Sequence, residues 1–220
     1  MNSSLLRRLK YYGIGFGIGL LFVFIFFENR GCQWLPGNRV KNNFIGKVLV
    51  VSENTQKFLD KNGVTDAELE NFLLHGAVAF GKSKKEGNPK VYSISNKVKG
   101  KSVELWFTMN DNAYVAEVLT PHGSIFRAKA SDVGLGRVAF VPKVDNIIYL
   151  PESKQVGVTL NEKQVQDILK KNGWIDFEKT NFEVQPVPEQ YLILVPSKGD
   201  TLKSWTTWYK DHIQIHQFTK

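Results

Sequence analysis

The segment GAVAFGKS, from Gly76 to Ser83, matches the phosphate-binding pattern G-x-x-x-x-G-K-[ST]. In a working loop of this kind a strand precedes the first glycine and a helix follows the lysine, so that backbone amides point at phosphate. Here a helical segment precedes Gly76, apolar residues fill the loop, and a charged turn and a strand follow Lys82. We therefore interpret the match as accidental, expect no nucleotide or other cofactor, and assign Gly76 to the end of a helix.

Two histidines four residues apart, His212 and His216, have a spacing that would suit zinc on a helix. The surrounding segment HIQIHQF alternates as a strand does, with Ile213 and Ile215 on one face. On a strand the two histidines lie about 13 Å apart, too far to share one metal ion. No carboxylate pair or Ser/His/Asp grouping stands out either, so we predict neither a metal site nor an enzyme.

Aromatic residues suggest a contact surface instead. Trp205 and Tyr209 are predicted to pack in the core on one face of a strand, and Trp208 points the other way. We predict Trp208 and Trp34 as candidate contacts for a partner.

A basic group in the central connector provides an alternative function. The net charge is +8, and its excess is concentrated around the N terminus and in this connector. The candidate anion-binding residues are Arg127, Lys129, Arg137 and Lys143. They would suit RNA or an anionic polymer of the cell envelope, although nucleic-acid binders usually concentrate their charge on one face.

The N terminus has the pattern of a membrane anchor. Residues 11–27, YYGIGFGIGLLFVFIFF, contain no charge, and a helix of this length spans about 25 Å of the roughly 30 Å hydrocarbon core. Arg7, Arg8 and Lys10 precede it, which predicts a cytoplasmic tail over residues 1–10 and a periplasmic remainder. No small-x-small cleavage site follows, so we interpret the segment as an uncleaved transmembrane helix in the inner membrane.

Four glycines in this segment form two G-x-x-x-G pairs, Gly13 with Gly17 and Gly15 with Gly19. Such pairs let transmembrane helices pack closely, which predicts a membrane partner or a second copy of the chain; the alternative is that glycine is simply common in such helices. Cys32 is the only cysteine, which excludes a disulfide within the chain. It either pairs between two chains or stays unpaired near the membrane.

The remaining residues are predicted to form a stalk and two copies of one α+β unit. Residues 28–43 are rich in turn formers and polar groups and predict the stalk. The first copy covers residues 44–125, and residues 126–220 hold connector strands and the second copy. Each copy consists of a helix or helix pair followed by an antiparallel meander.

Capping signals define the two helices of the first copy. Ser52 is the predicted N-cap of a helix that ends at Gly63, and Thr65 with Glu68 forms a capping box for a helix that ends at Gly76. The strand-like runs AVAF, KVYSISNKV, SVELWFTM and AYVAEVL follow.

The second copy repeats these segments. The helical LNEKQVQDILKKNG precedes WIDFEKT, which matches AVAFGKS, and QYLILVPSKGDTLKSWTTW matches VYSISNKVKGKSVELWFTM. This alignment places Tyr191 under Tyr92 and Trp205 under Trp106. We infer an internal duplication.

The stretch TQKFLDKNGVTDAELENFLLHGAVAFGKS resembles the domain-of-unknown-function family 4258, whose pattern runs here from Asn62 to Gly76. The whole layout is similar to membrane-anchored versions from Bacteroidetes, chiefly flavobacteria, which share a stalk motif like GCQWLPGNRV and a strand like VAFGKS or IDFEKT. Simpler members, some thought to be related to ribonuclease toxins, carry His and Arg in the first helix. Glu53 and Lys57 stand there in this chain, so the resemblance implies fold and location rather than nuclease chemistry.

The sequence thus predicts a non-catalytic, single-pass inner-membrane protein with a duplicated α+β body in the periplasm. That body would bind a protein partner as an accessory subunit of a cell-envelope complex. The alternative is an RNA-processing enzyme or a binder of an anionic envelope polymer; nucleotides and nucleic acids are otherwise not expected as partners.

Overall fold

The fold of the chain is α+β and is taken from a computed structural model. The structure describes residues 3–28, 35–110, 113–140, 147–149, 162–182, 190–195, 201–209 and 212–219. The chain divides into two compact units, Met1–Arg39 and Val40–Lys220. Both predicted copies of the α+β unit therefore lie within one compact body.

The described residues form the following helices and strands. The helices are α1 (Ser3–Glu28), α2 (Pro36–Ile45), α3 (Glu53–Asn62), α4 (Asp66–His75) and α5 (Glu162–Asn172). The strands are β1 (Val48–Ser52), β2 (Ala77–Val78), β3 (Lys90–Val98), β4 (Lys101–Met109), β5 (Val115–Leu119), β6 (Leu135–Phe140), β7 (Ile147–Tyr149), β8 (Gly173–Asp176), β9 (Gln190–Leu194), β10 (Leu202–Trp208) and β11 (Ile213–Thr219).

The first unit contains α1, a helix of 26 residues that includes the predicted span 11–27. Its described side chains run from Arg7 to Val23, and all of them are exposed. Among the helices as far as they are described, none combines the length and the apolar character that crossing a membrane requires. The side chains of residues 24–27 lie outside the described part. The membrane anchor remains a prediction.

The stalk prediction for residues 28–43 is wrong from Pro36 onward, because α2 occupies this stretch. Proline is well tolerated at the first position of a helix, where its missing N–H would have no partner. Val40 and Phe44, four residues apart, lie on one side of α2 and are buried. The stalk was predicted from overall composition, and the polar residues between Val40 and Phe44 outweighed this apolar pair.

The caps of α3 and α4 confirm the predicted boundaries. The Ser52 hydroxyl accepts the N–H of Thr55 at the start of α3, and α3 ends at Gly63, which has φ +68°. The Thr65 hydroxyl accepts the N–H of Glu68 at 3.3 Å. The predicted apolar face of α4 is buried, and it comprises Leu69, Phe72 and Leu73.

In the described part of the body, eleven strands form one mixed, mostly antiparallel sheet in the order β2-β3-β4-β5-β1-β6-β8-β9-β10-β11-β7. The order β2-β3-β4-β5-β1 of the first half recurs as β8-β9-β10-β11-β7 in the second half. In each half the last two strands of this order are parallel, β5 with β1 and β11 with β7. The strand β6 lies between the halves and is antiparallel to both of its neighbours.

The two halves carry their helices on opposite faces of the sheet. Because β6 is antiparallel to both β1 and β8, every strand of the second half runs opposite to its counterpart in the first. Keeping the strand order while reversing the directions exchanges the two faces. Accordingly, Leu69 of α4 shares a core cluster with Leu49 of β1, whereas Leu169 of α5 shares one with Val50, whose side chain points to the other side.

Strand register corrects one part of the sequence alignment. Trp106 pairs with Ser93, and Trp205 pairs with Tyr191. The match of Trp205 to Trp106 is therefore in register, but Tyr191 takes the place of Ser93 and not of Tyr92. Sequence similarity between the two segments does not determine which face of the sheet a side chain occupies. A shift of one residue in the alignment moves every side chain to the opposite face.

Two glycines mark the tight passage from helix to strand in each half. A Cβ atom on Gly76 would lie 2.3 Å from the carbonyl oxygen of Phe72 and 2.7 Å from Ile94 Cγ2. A Cβ atom on Gly173 would lie 2.6 Å from the carbonyl oxygen of Leu169. In both halves the lack of a side chain permits the close approach of the new strand to the helix end.

We expect Gly76→Ala to lower the free energy of unfolding by about 2 kcal/mol or more, because backbone and core must move to admit the methyl group. Thermal or chemical unfolding of the full chain measures this. Gly81→Ala is the matched control, since no atom lies within 4 Å of its Cβ position. Equal losses in the two variants would contradict the close-packing argument.

Candidate functional site

The segment that matches the phosphate-binding pattern has the order of elements that the sequence predicts. The helix α4 precedes Gly76, β2 is only two residues long, a single 3-10 turn covers Phe80–Lys82, and β3 follows. The Ser83 hydroxyl donates to the carbonyl oxygen of Ala79 at 2.8 Å and accepts the N–H of Ser93 at 3.1 Å. Its hydrogen bonds thus fix the turn against β3.

The predicted strand at the C-terminal histidines is confirmed as β11. Ile213 and Ile215 are buried on one face, and His216 Nε2 lies 2.9 Å from the hydroxyl of Thr207. His212 precedes the strand and stacks on the ring of Tyr209 at 4.3 Å. Within the described ranges, no three His, Cys, Asp or Glu side chains are grouped so as to hold a metal ion.

Trp208 is not a partner surface, contrary to the sequence prediction. It is fully buried, its indole N–H donates to the hydroxyl of Thr206 at 3.0 Å, and its ring meets Phe182 edge-on at 5.8 Å. Trp205, predicted to be in the core, instead lies half-buried on the opposite face. Strand alternation was read correctly, but the core was assigned to the wrong face. Trp34, with Cys32, lies outside the described residues.

The four candidate anion-binding residues do not form one described site. Arg137 faces α3 and α4 and makes a bidentate pair with Asp66 at 2.7 and 2.9 Å. Lys129 lies on the other side of the sheet, and its ammonium forms an ion pair with the carboxylate of Asp132 at 2.5 Å. Arg127 is exposed, and Lys143 lies outside the described part of the chain. No shared cleft joins the three described cations.

The side of β3, β4 and β5 that faces away from α3 and α4 holds a buried carboxylate. Glu117 on β5 lies opposite Thr108 on β4, whose hydroxyl hydrogen-bonds the main chain of Glu117. The carboxylate accepts both the main-chain N–H and the hydroxyl of Ser131. Glu117 is fully buried. We call this side of the three strands the first helix-free face.

Burial raises the pKa of the Glu117 carboxyl to about 7. The two donors of Ser131 oppose this rise, and the negative charge of Asp132 adds to it. The ionised carboxylate can accept both donors, and so it fastens a passing segment to the sheet. Sequence reasoning missed this group because it read AYVAEVL only as a strand; a lone acid in an apolar strand was the available signal.

Residues 125–131, which we call the covering segment, lie across the first helix-free face. Ile125 packs against Val91 and Trp106, and the ammonium of Lys84 donates to the carbonyl oxygen of Ala128 at 3.4 Å. The covering segment thus buries Trp106, which is only 7% exposed.

A surface pocket of about 400 Å³ lies beside the covering segment. Its lining residues are Ser83, Lys84, Lys85, Glu86 and Phe126. The lining contains both positively and negatively charged side chains and one exposed aromatic ring. The charge of the pocket therefore does not favour one class of ligand.

The corresponding side of the second half carries aromatic residues. We call it the second helix-free face, and it comprises Trp174, Tyr191, Ile193, Lys203, Trp205 and Gln214. The rings of Tyr191 and Trp205 are 4.2 Å apart, and the Lys203 ammonium lies 4.0 Å above the Tyr191 ring.

The second helix-free face is less covered than the first. All six of its residues are half-buried, and none belongs to a core cluster of described residues. No counterpart of the covering segment packs on it within the described ranges. Sequence reasoning missed this face because the alignment placed Tyr191 one residue out of register and took Trp205 for core.

Comparisons with known proteins found no match among family models, curated proteins or solved structures. The resemblance to family 4258 therefore remains a prediction.

On α3, Glu53 and Lys57 form an exposed ion pair at 2.7 Å. The hydrogen bond from Lys57 lowers the pKa of the Glu53 carboxyl.

We expect the free energy of unfolding to fall as pH rises from about 5 to 8, by at most about 3 kcal/mol. The pKa of Glu117 is raised to about 7 in the folded chain from 4.5. The folded state therefore binds more protons than the unfolded state between these values, and the stabilisation is lost above the folded pKa. Chemical unfolding at a series of pH values measures the slope.

Glu117→Gln should flatten this dependence, even if it changes stability at every pH. Asp132→Asn is the control, because its carboxylate is exposed, and it should keep most of the slope. An unchanged slope in Glu117→Gln would contradict the assignment to Glu117.

Proposed function

We propose that the chain is a non-catalytic, membrane-anchored protein whose body binds a protein partner through the second helix-free face. The observation that carries this proposal is the aromatic patch of Trp174, Tyr191 and Trp205, half-buried on a face on which no described helix of the second half packs. Tyrosine, tryptophan and cationic side chains are enriched at the centre of protein interfaces. We propose further that it serves as an accessory subunit of a cell-envelope complex.

The proposed anchor is α1. Its uncharged residues 11–27 correspond to about 25 Å of helix, and the flanking residues of the 26-residue helix would extend into the interfacial regions on either side of the roughly 30 Å hydrocarbon core. The cationic residues Arg7, Arg8 and Lys10 favour a cytoplasmic N terminus and so support a periplasmic location for the body. The glycines Gly13 to Gly19 offer a surface for close packing in lipid, against a membrane partner or a second copy of the chain.

Internal duplication supports the choice of the second helix-free face. The repeated strand order gives the body two equivalent faces without helices. A segment of the chain itself covers the first of them, as Ile125 and Ser131 demonstrate. The equivalent face is the natural place for a partner that comes from outside the chain.

The alternative of RNA or an anionic polymer finds less support. Arg137 and Lys129 are paired with carboxylates and lie on opposite sides of the sheet. Electrostatic binding of a polyanion needs several cations along one surface.

Membrane attachment is tested with the paired change Ile18→Arg and Leu20→Arg in α1. A cation at the centre of a span costs roughly 2.5–3.5 kcal/mol, so we expect most of the protein to leave the membrane fraction after carbonate extraction. Ile18→Leu with Leu20→Ile is the control and should stay membrane-bound. In intact spheroplasts, added protease should digest the body of the unmodified protein. A body protected from the protease would contradict the periplasmic location.

The partner surface is tested by quantitative crosslinking and co-purification from native cells in mild detergent. Trp205→Ala should reduce the captured partner at least about tenfold, since central aromatic residues of interfaces contribute roughly 2 kcal/mol or more. Phe126→Ala is the control, because that ring is 65% exposed and belongs to the covering segment. Equal capture by the Trp205→Ala variant, at unchanged thermal stability, would overturn the proposal.

A further inference from the structure

We propose that the second helix-free face receives a polypeptide segment that carries an apolar and an acidic side chain, laid across the strands as the covering segment lies across the first face. This inference rests on the proposed function, in which the partner is a protein. The chain itself contains the structural precedent.

The strand registers relate several positions of the two faces. Trp106 and Trp205 occupy equivalent positions on the second strand of each meander. Trp106 lies opposite Ser93, and Trp205 lies opposite Tyr191. The register also relates a second pair of positions. Glu117 lies opposite Thr108, and Gln214 lies opposite Thr207.

The covering segment uses two of these positions on the first face. Ile125 packs its aliphatic side chain on Trp106. Six residues later, Ser131 gives its main-chain N–H and its hydroxyl to Glu117. An apolar anchor and a polar attachment, together with the hydrogen bond from Lys84 to the carbonyl oxygen of Ala128, hold a segment that is not itself a strand of the sheet.

The second face keeps this plan with more apolar surface. Tyr191 replaces Ser93 and adds a ring beside Trp205, at a centroid distance of 4.2 Å. Gln214 replaces Glu117; its amide nitrogen lies 3.4 Å from His212 Nε2, and its amide oxygen can accept a hydrogen bond. An apolar side chain therefore finds a wider aromatic surface here than Ile125 finds on Trp106.

Charge separates the two faces. Glu104 of the first face lies opposite Ser95 on the neighbouring strand. Lys203 of the second face lies opposite Ile193, which is the equivalent position. The Lys203 ammonium lies over the Tyr191 ring, next to the place where an apolar anchor would pack. A cation beside the anchor position favours an acidic side chain in the segment that binds here.

The probe is a synthetic peptide with the sequence of residues 120–134 of this chain, changed at two positions, Arg127→Glu and Lys129→Glu. The unchanged, basic peptide is the comparison. Both are labelled with a fluorophore and titrated against the full-length protein in detergent, with anisotropy as the readout. We expect the acidic peptide to bind about fivefold or more tightly than the basic one.

Two variants make the result specific. Lys203→Glu should invert the preference, so that the basic peptide binds more tightly; this gain of binding cannot come from misfolding. Trp205→Ala should weaken both peptides at least about tenfold. Phe126→Ala should leave both affinities unchanged.

The inference is overturned if the acidic peptide does not bind, or if Lys203→Glu leaves the order of the two affinities unchanged. In that case, capture of a partner that still depends on Trp205 would keep the proposed function and show that a folded surface occupies the face. Loss of Trp205-dependent capture together with peptide binding would contradict the proposed function alone. Binding of cell-wall glycan at Trp205, without peptide binding, would overturn both.

Discussion

The fold depends on the need to cover both faces of one long sheet. Each half of the chain supplies a helix layer to a single face, and the reversed strand directions place these layers on opposite sides. Among the described residues, this leaves two areas without a helix, one in each half. The first is covered by the covering segment, and the second presents the half-buried rings of Tyr191 and Trp205. The arrangement of helices therefore determines where a partner surface can exist.

The attachment of the covering segment has an energetic cost. Burying a carboxylate away from water is unfavourable unless hydrogen bonds compensate for the lost hydration. Ser131 supplies two donors to Glu117, and Thr108 aligns the strand beneath it. Because Ser131 provides both donors, the position of this single loop residue determines whether the buried carboxylate of Glu117 is compensated by hydrogen bonds.

Local signals in the sequence predicted the elements, and long-range relations were missed. The caps at Ser52 and Thr65 and the alternation of β11 depend on neighbours in sequence, and they were confirmed. The faces of Trp208 and Trp205 depend on where α5 packs, which alternation alone does not determine. Likewise, Arg137 and Lys129 are close in sequence but lie on opposite sides of the sheet.

Leu169 of α5 belongs to the same core cluster as Val48 and Val50 of β1. The helix of the later half thus shields aliphatic surface that belongs to the earlier half, across the intervening strand β6. Separating the halves would expose these valines to water at a cost of about 25 cal/mol for each Å² of apolar surface. The described residues of the two halves therefore share one hydrophobic interior.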